Sequence, residues 1–569
     1  MIKILVNPKD TRNIFITGDS KDIGILEKHL NRIPLYQLLP RYTGIPKPEV
    51  FLNRFMGRDK KWIYYCSMGL WKEIVDFCKV KNITVDAGAI TKSIRYTEFN
   101  MSKEEFREYV LSWDLNLVPR DYQLDSAWLI LKYQRSLSEL ATRAGKTLIS
   151  YIVFRTALEK LGCKKILMVV PSIHLVKQGA KDFEKYKDYF KSELIWADGE
   201  ECSIANLTIG TFQSLVLRCD PRSKHFNPDY YNDYDLILVD EAHKIPCKSI
   251  QSILDQEFMK NVKIMFGFTG TLPQSNTIEW LACQASAGPK IQEITASDLI
   301  EEGFLAKPII KQIRISYEDD EELQDAIIEY GEYLCSIYKE EEKGKRILLP
   351  PEQRKMTMIH EKILPVAFNM AREQRTKSQY VDLILQQVKE RQLTLVLEQM
   401  LTMFSEPRIN ILKNLVGGLH KNVIIFAHNT EYINYLHKML QEAFPDRKIL
   451  KITGNTSIKK RQEQIDEMTK SDNCILVGSF GCVGTGLTFS RVNYGIFAQS
   501  FKSDIISKQS LGRLMLRQDD KQEFYLYDLI DVYPTKKIYS QGQEKVRIFK
   551  KEGHEYFIDN IKTNYKKLL

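Results

Sequence analysis

Long apolar runs and paired cysteines are missing from this sequence, and each absence removes a class. No stretch reaches the roughly 18 residues that an apolar helix needs to cross a bilayer, so no membrane partner is expected. The ten cysteines are scattered, with no C-x-x-C pair and no Cys/His group at zinc spacing. That argues against a disulfide framework or a structural metal and favours a reducing, cytoplasmic setting. The run Met1 to Pro8 is too short and too polar at its end for a signal peptide and predicts a first strand. Strong charge of either sign is absent too: 82 Lys plus Arg against 73 Asp plus Glu leave +9, a mild excess that suits a polyanion and that a solvated surface explains equally well.

What is present suffices for packed cores: 44% of the 569 residues are hydrophobic, and the length predicts about four domain-sized units. The most informative stretch is Leu140-Ala141-Thr142-Arg143-Ala144-Gly145-Lys146-Thr147, between an extended run and a helical one. Such a loop aims backbone N–H groups and the positive end of a helix at one spot, and Gly-Lys-Thr adds a close-approach backbone, a cation and a hydroxyl for magnesium. The full phosphate-loop pattern asks for glycine where Leu140 stands, so an ordinary strand-to-helix turn is a rival reading of the octet. A second stretch, Leu236-Ile237-Leu238-Val239-Asp240-Glu241-Ala242-His243, decides for a nucleotide. Its apolar run predicts a buried parallel strand whose acids emerge at the sheet's carboxyl edge, where the first loop also emerges. Asp240 can then share a magnesium ion with Thr147, and Glu241 can orient or deprotonate the water that attacks the terminal phosphate of ATP or GTP.

The pattern along the chain predicts an α/β protein with an N-terminal α+β domain over 1–113, a parallel lobe over 114–316, a helical insertion over 317–408, a second parallel lobe over 409–534 and a basic helical tail over 535–569. The first domain mixes bases with aromatics (Arg41, Tyr42, Lys47, Phe51, Arg54, Phe55, Arg58, Lys60, Lys61, Trp62, Tyr64, Tyr65), a composition suited to gripping phosphates and stacking bases. Core packing accounts for part of it. The second lobe has no phosphate loop, but Gln509 to Arg517 places arginines at a helix start, where one could stabilise charge on a phosphate held by the other lobe.

In order, Arg120-Asp121-Tyr122-Gln123, the Ala144 to Thr147 loop, Val170-Pro171-Ser172, Ile209 to Gln213, Asp240-Glu241-Ala242-His243, Thr269-Gly270-Thr271, Val477-Gly478-Ser479 with Gly484-Thr485-Gly486, and Gln509 to Arg517 resemble the motif series of superfamily 2 helicases of the DEAH type. Ala296 to Leu305 and the small leading domain resemble the branch of restriction-enzyme motor subunits and phage recombination helicases of the UvsW type. The resemblance implies two tandem RecA-like lobes, with the helical insertion between or beside them, and an ATP-dependent, Mg2+-using DNA helicase or translocase. It further implies branched, forked or duplex substrates in recombination, repair and replication, possible partners among the proteins of those processes, and, for a phage protein, the host cytoplasm.

Carried over by position, Arg120 and Gln123 would read adenine, Thr142, Arg143, Ala144, Gly145, Lys146, Thr147 and Gly486 would hold ATP, and Thr147 and Asp240 the metal. Lys146, Asp240, Glu241, Gln509, Arg513 and Arg517 would form the catalytic set. Pro171, Ser172, Thr211 and Gln213, with Thr453 and Ser479, would touch the nucleic-acid backbone, which positions a strand without reading sequence. His243 is expected to couple the acidic motif to Thr269–Thr271 rather than to bind metal. Departures are Arg143 at a usually small position, Thr488 where many relatives carry aspartate, and Arg517 one residue late. They motivate a rival reading, a nucleic-acid clamp with a decayed ATPase; a restriction-system motor and an RNA helicase are further alternatives.

Overall fold

The computed structural model describes residues 1–6, 12–33, 47–57, 60–91, 99–186, 189–190, 192–195, 205–275, 277–340, 375–483, 491–500, 511–512, 514–515 and 523–568. It divides into two compact units, Met1–Thr295 and Ala296–Leu569.

The first unit begins with a mixed sheet of β1 (Ile2–Val6), β2 (Asn13–Thr17), β3 (Asn53–Met56), β4 (Trp62–Ser67) and β5 (Val85–Asp86), in the order β3-β4-β2-β1-β5. Alternation such as Ile2 and Ile4 inward with Lys3 outward gives this sheet one buried face, covered by the helices Ser20–Leu30 and Trp71–Val80. The domain is docked on the helix Ile278–Ala287. Leu281 enters its core, Ser67 Oγ donates to Ala285 O, and Glu73 accepts from Trp280 Nε1 (3.1 Å) and Gln284 Nε2 (3.0 Å). Gly69 is required there, because a Cβ would overlap the Gln284 carbonyl.

A second sheet follows, formed by β6 (Arg135–Leu140), β7 (Ile166–Val170), β8 (Ser192–Ile195), β9 (Leu207–Thr211), β10 (Leu236–Asp240), β11 (Ile264–Thr269) and β12 (Lys290–Ile294). Its order is β12-β6-β11-β10-β7-β9-β8 and every pairing is parallel. Continuous apolar strands such as Leu236 to Val239, all fully buried, are what a sheet covered on both faces demands. The helix Lys146–Lys160 is apolar nearly all round for the same reason.

The second unit carries β13 (Lys307–Tyr317), β14 (Val423–Ala427), β15 (Lys448–Ile452), β16 (Cys474–Ser479), β17 (Tyr494–Phe497), β18 (Glu523–Val532) and β19 (Glu555–Thr563), in the all-parallel order β15-β16-β14-β17-β18-β13-β19. Two expectations are corrected here. The strand ending the stretch assigned to the first lobe (114–316) is β13, which pairs with β18 and β19 in the second sheet. Its continuity in sequence with the first lobe concealed partners more than 200 residues away. The tail (535–569) is helical only over Lys537–Lys551; its remainder supplies the edge strand β19.

The described part of the expected insertion forms the helices Glu321–Glu340, Lys377–Glu390, Thr394–Met403 and Glu406–Gly417. These helices share one apolar core with β13, β14 and β18, so the described part of the insertion is packed into the second unit. Its stretch around Pro350-Pro351 lies outside the described residues.

Candidate nucleotide and nucleic-acid site

The phosphate loop leaves β6 at Leu140 and enters the helix at Lys146 through two left-handed positions, Arg143 (φ +77°) and Gly145 (φ +80°). A glycine is needed at 145 because a Cβ there would also collide with the Gln123 amide. Gln123 is buried and spans the loop: its Oε1 accepts from Arg120 N (2.9 Å) and its Nε2 donates to Ala144 O (2.9 Å). The Tyr122 hydroxyl donates to the same carbonyl (2.9 Å) and accepts from Arg120 Nη1 (2.9 Å). Arg120 and Gln123, expected to read adenine, also brace the phosphate loop. At the other side Ala141 N donates to Ile294 O (2.9 Å), fastening the loop to β12.

Asp240 ends β10, and Glu241 takes a left-handed conformation (φ +55°) with its N–H donating to Asp240 Oδ1 (3.0 Å). That turn lifts both carboxylates out of the sheet while Ala242 packs against Gly267, where any Cβ would overlap it. His243 Nδ1 lies 2.9 Å from Thr269 Oγ1 and 3.4 Å from Glu241 Oε2, and the Thr269 hydroxyl is bonded in turn to Thr271 O (3.1 Å). The expected link between the acidic motif and Thr269–Thr271 is thus a direct side-chain contact. A Cβ built on Gly270 would stand 3.9 Å from Lys146 Nζ and 4.0 Å from Thr142 Oγ1. Three motif segments therefore meet at the carboxyl edge of the adjacent strands β6, β11 and β10. The Asp240 carboxylate and the Thr147 hydroxyl, the latter hydrogen-bonded to the Tyr186 side chain, are hard oxygen ligands of the kind magnesium takes.

The expected nucleic-acid contacts divide into presented and structural groups. Pro171 and Ser172 lie half-buried just after β7, Ser479 half-buried at the end of β16, and Gln213 is exposed. Thr211, at 4% exposure, is turned inward as the cap of Phe212–Leu215, donating to Ser214 Oγ (2.9 Å) and accepting from Ser214 N (3.3 Å). Its hydroxyl holds the turn that presents Gln213. Thr453 is buried as well, in a turn closed by Thr456 and by Arg461, which donates to the carbonyls of Thr453, Gly454 and Thr456. Gly486, Gln509, Arg513 and Arg517 lie outside the described residues.

Sequence reading passed over three groups at these strand ends. Gln499, just past β17, accepts from the N–H of His428 (2.6 Å) and Asn429 (3.0 Å) just past β14. The His428 ring packs against Phe480 at a tilt of 33°, with ring centroids 4.5 Å apart. Glu139 binds Leu272 N (3.1 Å) and Lys290 Nζ (2.5 Å). None carries a local signature; strand-end position alone could have marked them. On the leading domain, the hairpin of β3 and β4 exposes Phe55 (44%), Met56 (51%) and Trp62 (50%), with the Arg54 guanidinium 4.8 Å above the indole. Arg41, Tyr42 and Arg58 of the basic-aromatic group lie outside the described residues.

Residues 116–274 match the family described as the type III restriction enzyme res subunit, and residues 407–515 match the helicase conserved C-terminal domain. The chain is 22% identical over 445 residues to the ATP-dependent DNA helicase uvsW of Enterobacteria phage T4, covering 76% of this chain and 73% of that protein. It is 28% identical over 204 residues to the DNA 3'-5' translocase XPB2 of Sulfurisphaera tokodaii, and 25% identical over 219 residues to the DNA 3'-5' helicase XPB of Mycobacterium tuberculosis. These last two matches cover 36% and 38% of this chain, and 41% and 38% of the respective relatives. Both family models fall in order on the two parallel-sheet units, and phosphate loop, acidic motif and Thr269–Thr271 are gathered on the first of them, so the chain is similar in both sequence and layout to superfamily 2 helicases of the UvsW-like kind.

Proposed function

We propose that the chain hydrolyses ATP to translocate along or unwind DNA, with branched, forked or duplex molecules as substrates. The observation that carries this is the meeting of Lys146, Asp240, Glu241 and the Gly270 turn at one sheet edge. Lys146 pairs with the β and γ phosphates. Glu241, held 3.4 Å from the His243 imidazole, orients and deprotonates the attacking water. Magnesium, held by Thr147 and Asp240, would neutralise charge on the phosphates. Gln509, Arg513 and Arg517 are our candidates for stabilising charge on the transferring group, on the strength of their motif.

DNA is the assigned polyanion because the similar proteins named above are DNA helicases and a DNA translocase. Pro171, Ser172, Gln213 and Ser479 supply backbone contacts, and the Phe55/Trp62 hairpin supplies a stacking surface, each stacked base contributing about 1–3 kcal/mol. The test is steady-state ATP hydrolysis with and without DNA, for wild type, Lys146→Ala and Glu241→Gln. Nucleic-acid-stimulated turnover should vanish in both variants. Turnover surviving in both sinks the assignment, and silence of the wild type favours the clamp. Strand displacement on forked, four-way and tailed substrates in DNA and RNA then separates the substrate classes.

A further inference from the structure

Glu139 is the last residue but one of β6, immediately ahead of the phosphate loop, and its carboxylate is 17% exposed. A carboxylate on the strand that leads into a polyphosphate loop repels the ligand unless it is neutralised. Here each oxygen has a partner. Oε2 takes Lys290 Nζ of β12 at 2.5 Å, and that ammonium also reaches Glu293 Oε2 at 2.6 Å. Oε1 accepts the backbone N–H of Leu272 at 3.1 Å. Leu272 closes the turn that begins at Thr269, the residue in contact with His243, and this turn passes Lys146 at Gly270. One side chain therefore spans β12, β6 and the exit of β11, strands in register at Glu293, Glu139 and Thr269.

We propose that Glu139, with Lys290 as its counter-charge, is a positioning residue that holds the Thr269–Leu272 turn, and through it His243 and Glu241, in register with the phosphate loop. This rests on the ATPase reading above. The acceptor for Leu272 N keeps the turn against the loop during hydrolysis, and Lys290 keeps the carboxylate from opposing ATP. Burial alone would lower the Lys290 pKa, but the hydrogen bonds to Glu139 and Glu293 outweigh it and hold the ammonium charged.

Three variants of the full chain test this: Glu139→Ala, Glu139→Gln and Lys290→Met. Loss of the acceptor in Glu139→Ala should lower DNA-stimulated kcat about ten- to a hundredfold with KM for ATP changed by less than about threefold. Glu139→Gln, which keeps an oxygen for Leu272 N, should restore kcat to within about fivefold. Lys290→Met, leaving Glu139 uncompensated, should raise KM for ATP about tenfold, and adding Glu139→Gln should cancel the rise. Amide exchange over Thr269–Leu272 is read on the same proteins without turnover and should speed up in Glu139→Ala but not in Glu139→Gln. Unchanged exchange and kcat in Glu139→Ala, or a Lys290→Met defect that Glu139→Gln does not relieve, overturns the inference. A wild type without stimulated ATPase fails the ATPase reading instead, and exchange then decides on Glu139 alone.

Discussion

The buried guanidinium of Arg408 offers the sharpest test of how the second unit is held together. Its side chain is 0% exposed and faces Asp531, 1% exposed, through Nε to Oδ2 at 2.8 Å. The remaining donors reach Tyr432 Oη (3.0 Å) and Ala498 O (2.7 Å), and Asp531 Oδ1 accepts from the Tyr317 hydroxyl (2.7 Å). The pair thus bolts the helix Glu406–Gly417 to β18 and to the end of β17. Replacing Arg408 by methionine fills most of the space but strands a buried carboxylate, at a cost of about 3–5 kcal/mol. At roughly 2 °C per kcal/mol for a unit of this size, the midpoint should fall by about 6–10 °C. Asp531→Leu should cost a similar amount by stranding the cation. The double variant Arg408→Met/Asp531→Leu should return to within about 1–2 kcal/mol of wild type, because a matched apolar pair needs no compensating charge. All six tryptophans precede residue 296, so their fluorescence follows the first unit, while a circular-dichroism transition without fluorescence change reports the second. Single variants costing under about 1 kcal/mol, or a double variant costing the sum of its parts, would refute the reasoning.

Gly145→Ala forces an alanine into a left-handed conformation and against the Gln123 amide, and calorimetry with a non-hydrolysable ATP analogue should show affinity reduced about tenfold or more. Gly69→Ala should undock the leading domain from the helix Ile278–Ala287, seen as faster amide exchange there with the sheet of β1 to β5 still protected. Burial, aided by the nearby Lys545 ammonium, pushes the His428 imidazole from 6.5 down to about 4. Protons therefore favour the unfolded chain: this contribution is whole above pH 6.5 and is lost as pH falls toward 4. His428→Phe should gain about 2 kcal/mol on wild type between pH 8 and pH 5, measured by urea unfolding, and no gain would show the imidazole to be solvated. Phe55→Ala/Trp62→Ala should weaken single-stranded DNA binding by about 1–3 kcal/mol per lost stack while leaving DNA-free ATP hydrolysis unchanged.

Both parallel sheets were legible in the sequence because fully buried strands read as uninterrupted apolar runs, as in Leu236 to Val239 and Val423 to Ala427. The phosphate loop and acidic motif were legible because their chemistry is local: a glycine, a lysine and a hydroxyl in succession, or two acids at the end of a strand.

Local pattern thus sets the kinds of element, their order and the chemistry carried at the strand ends, all of which depend on neighbours a few positions away. Long-range packing is what brings β13 and β19 into the second sheet, turns Thr211 and Thr453 inward, and seats the leading domain on Ile278–Ala287. It alone brought Arg408 to Asp531 and Glu139 to Leu272, pairs separated by 123 and 133 residues. A buried charge needs its partner in space and not in sequence, and no local pattern records which distant residue supplies it.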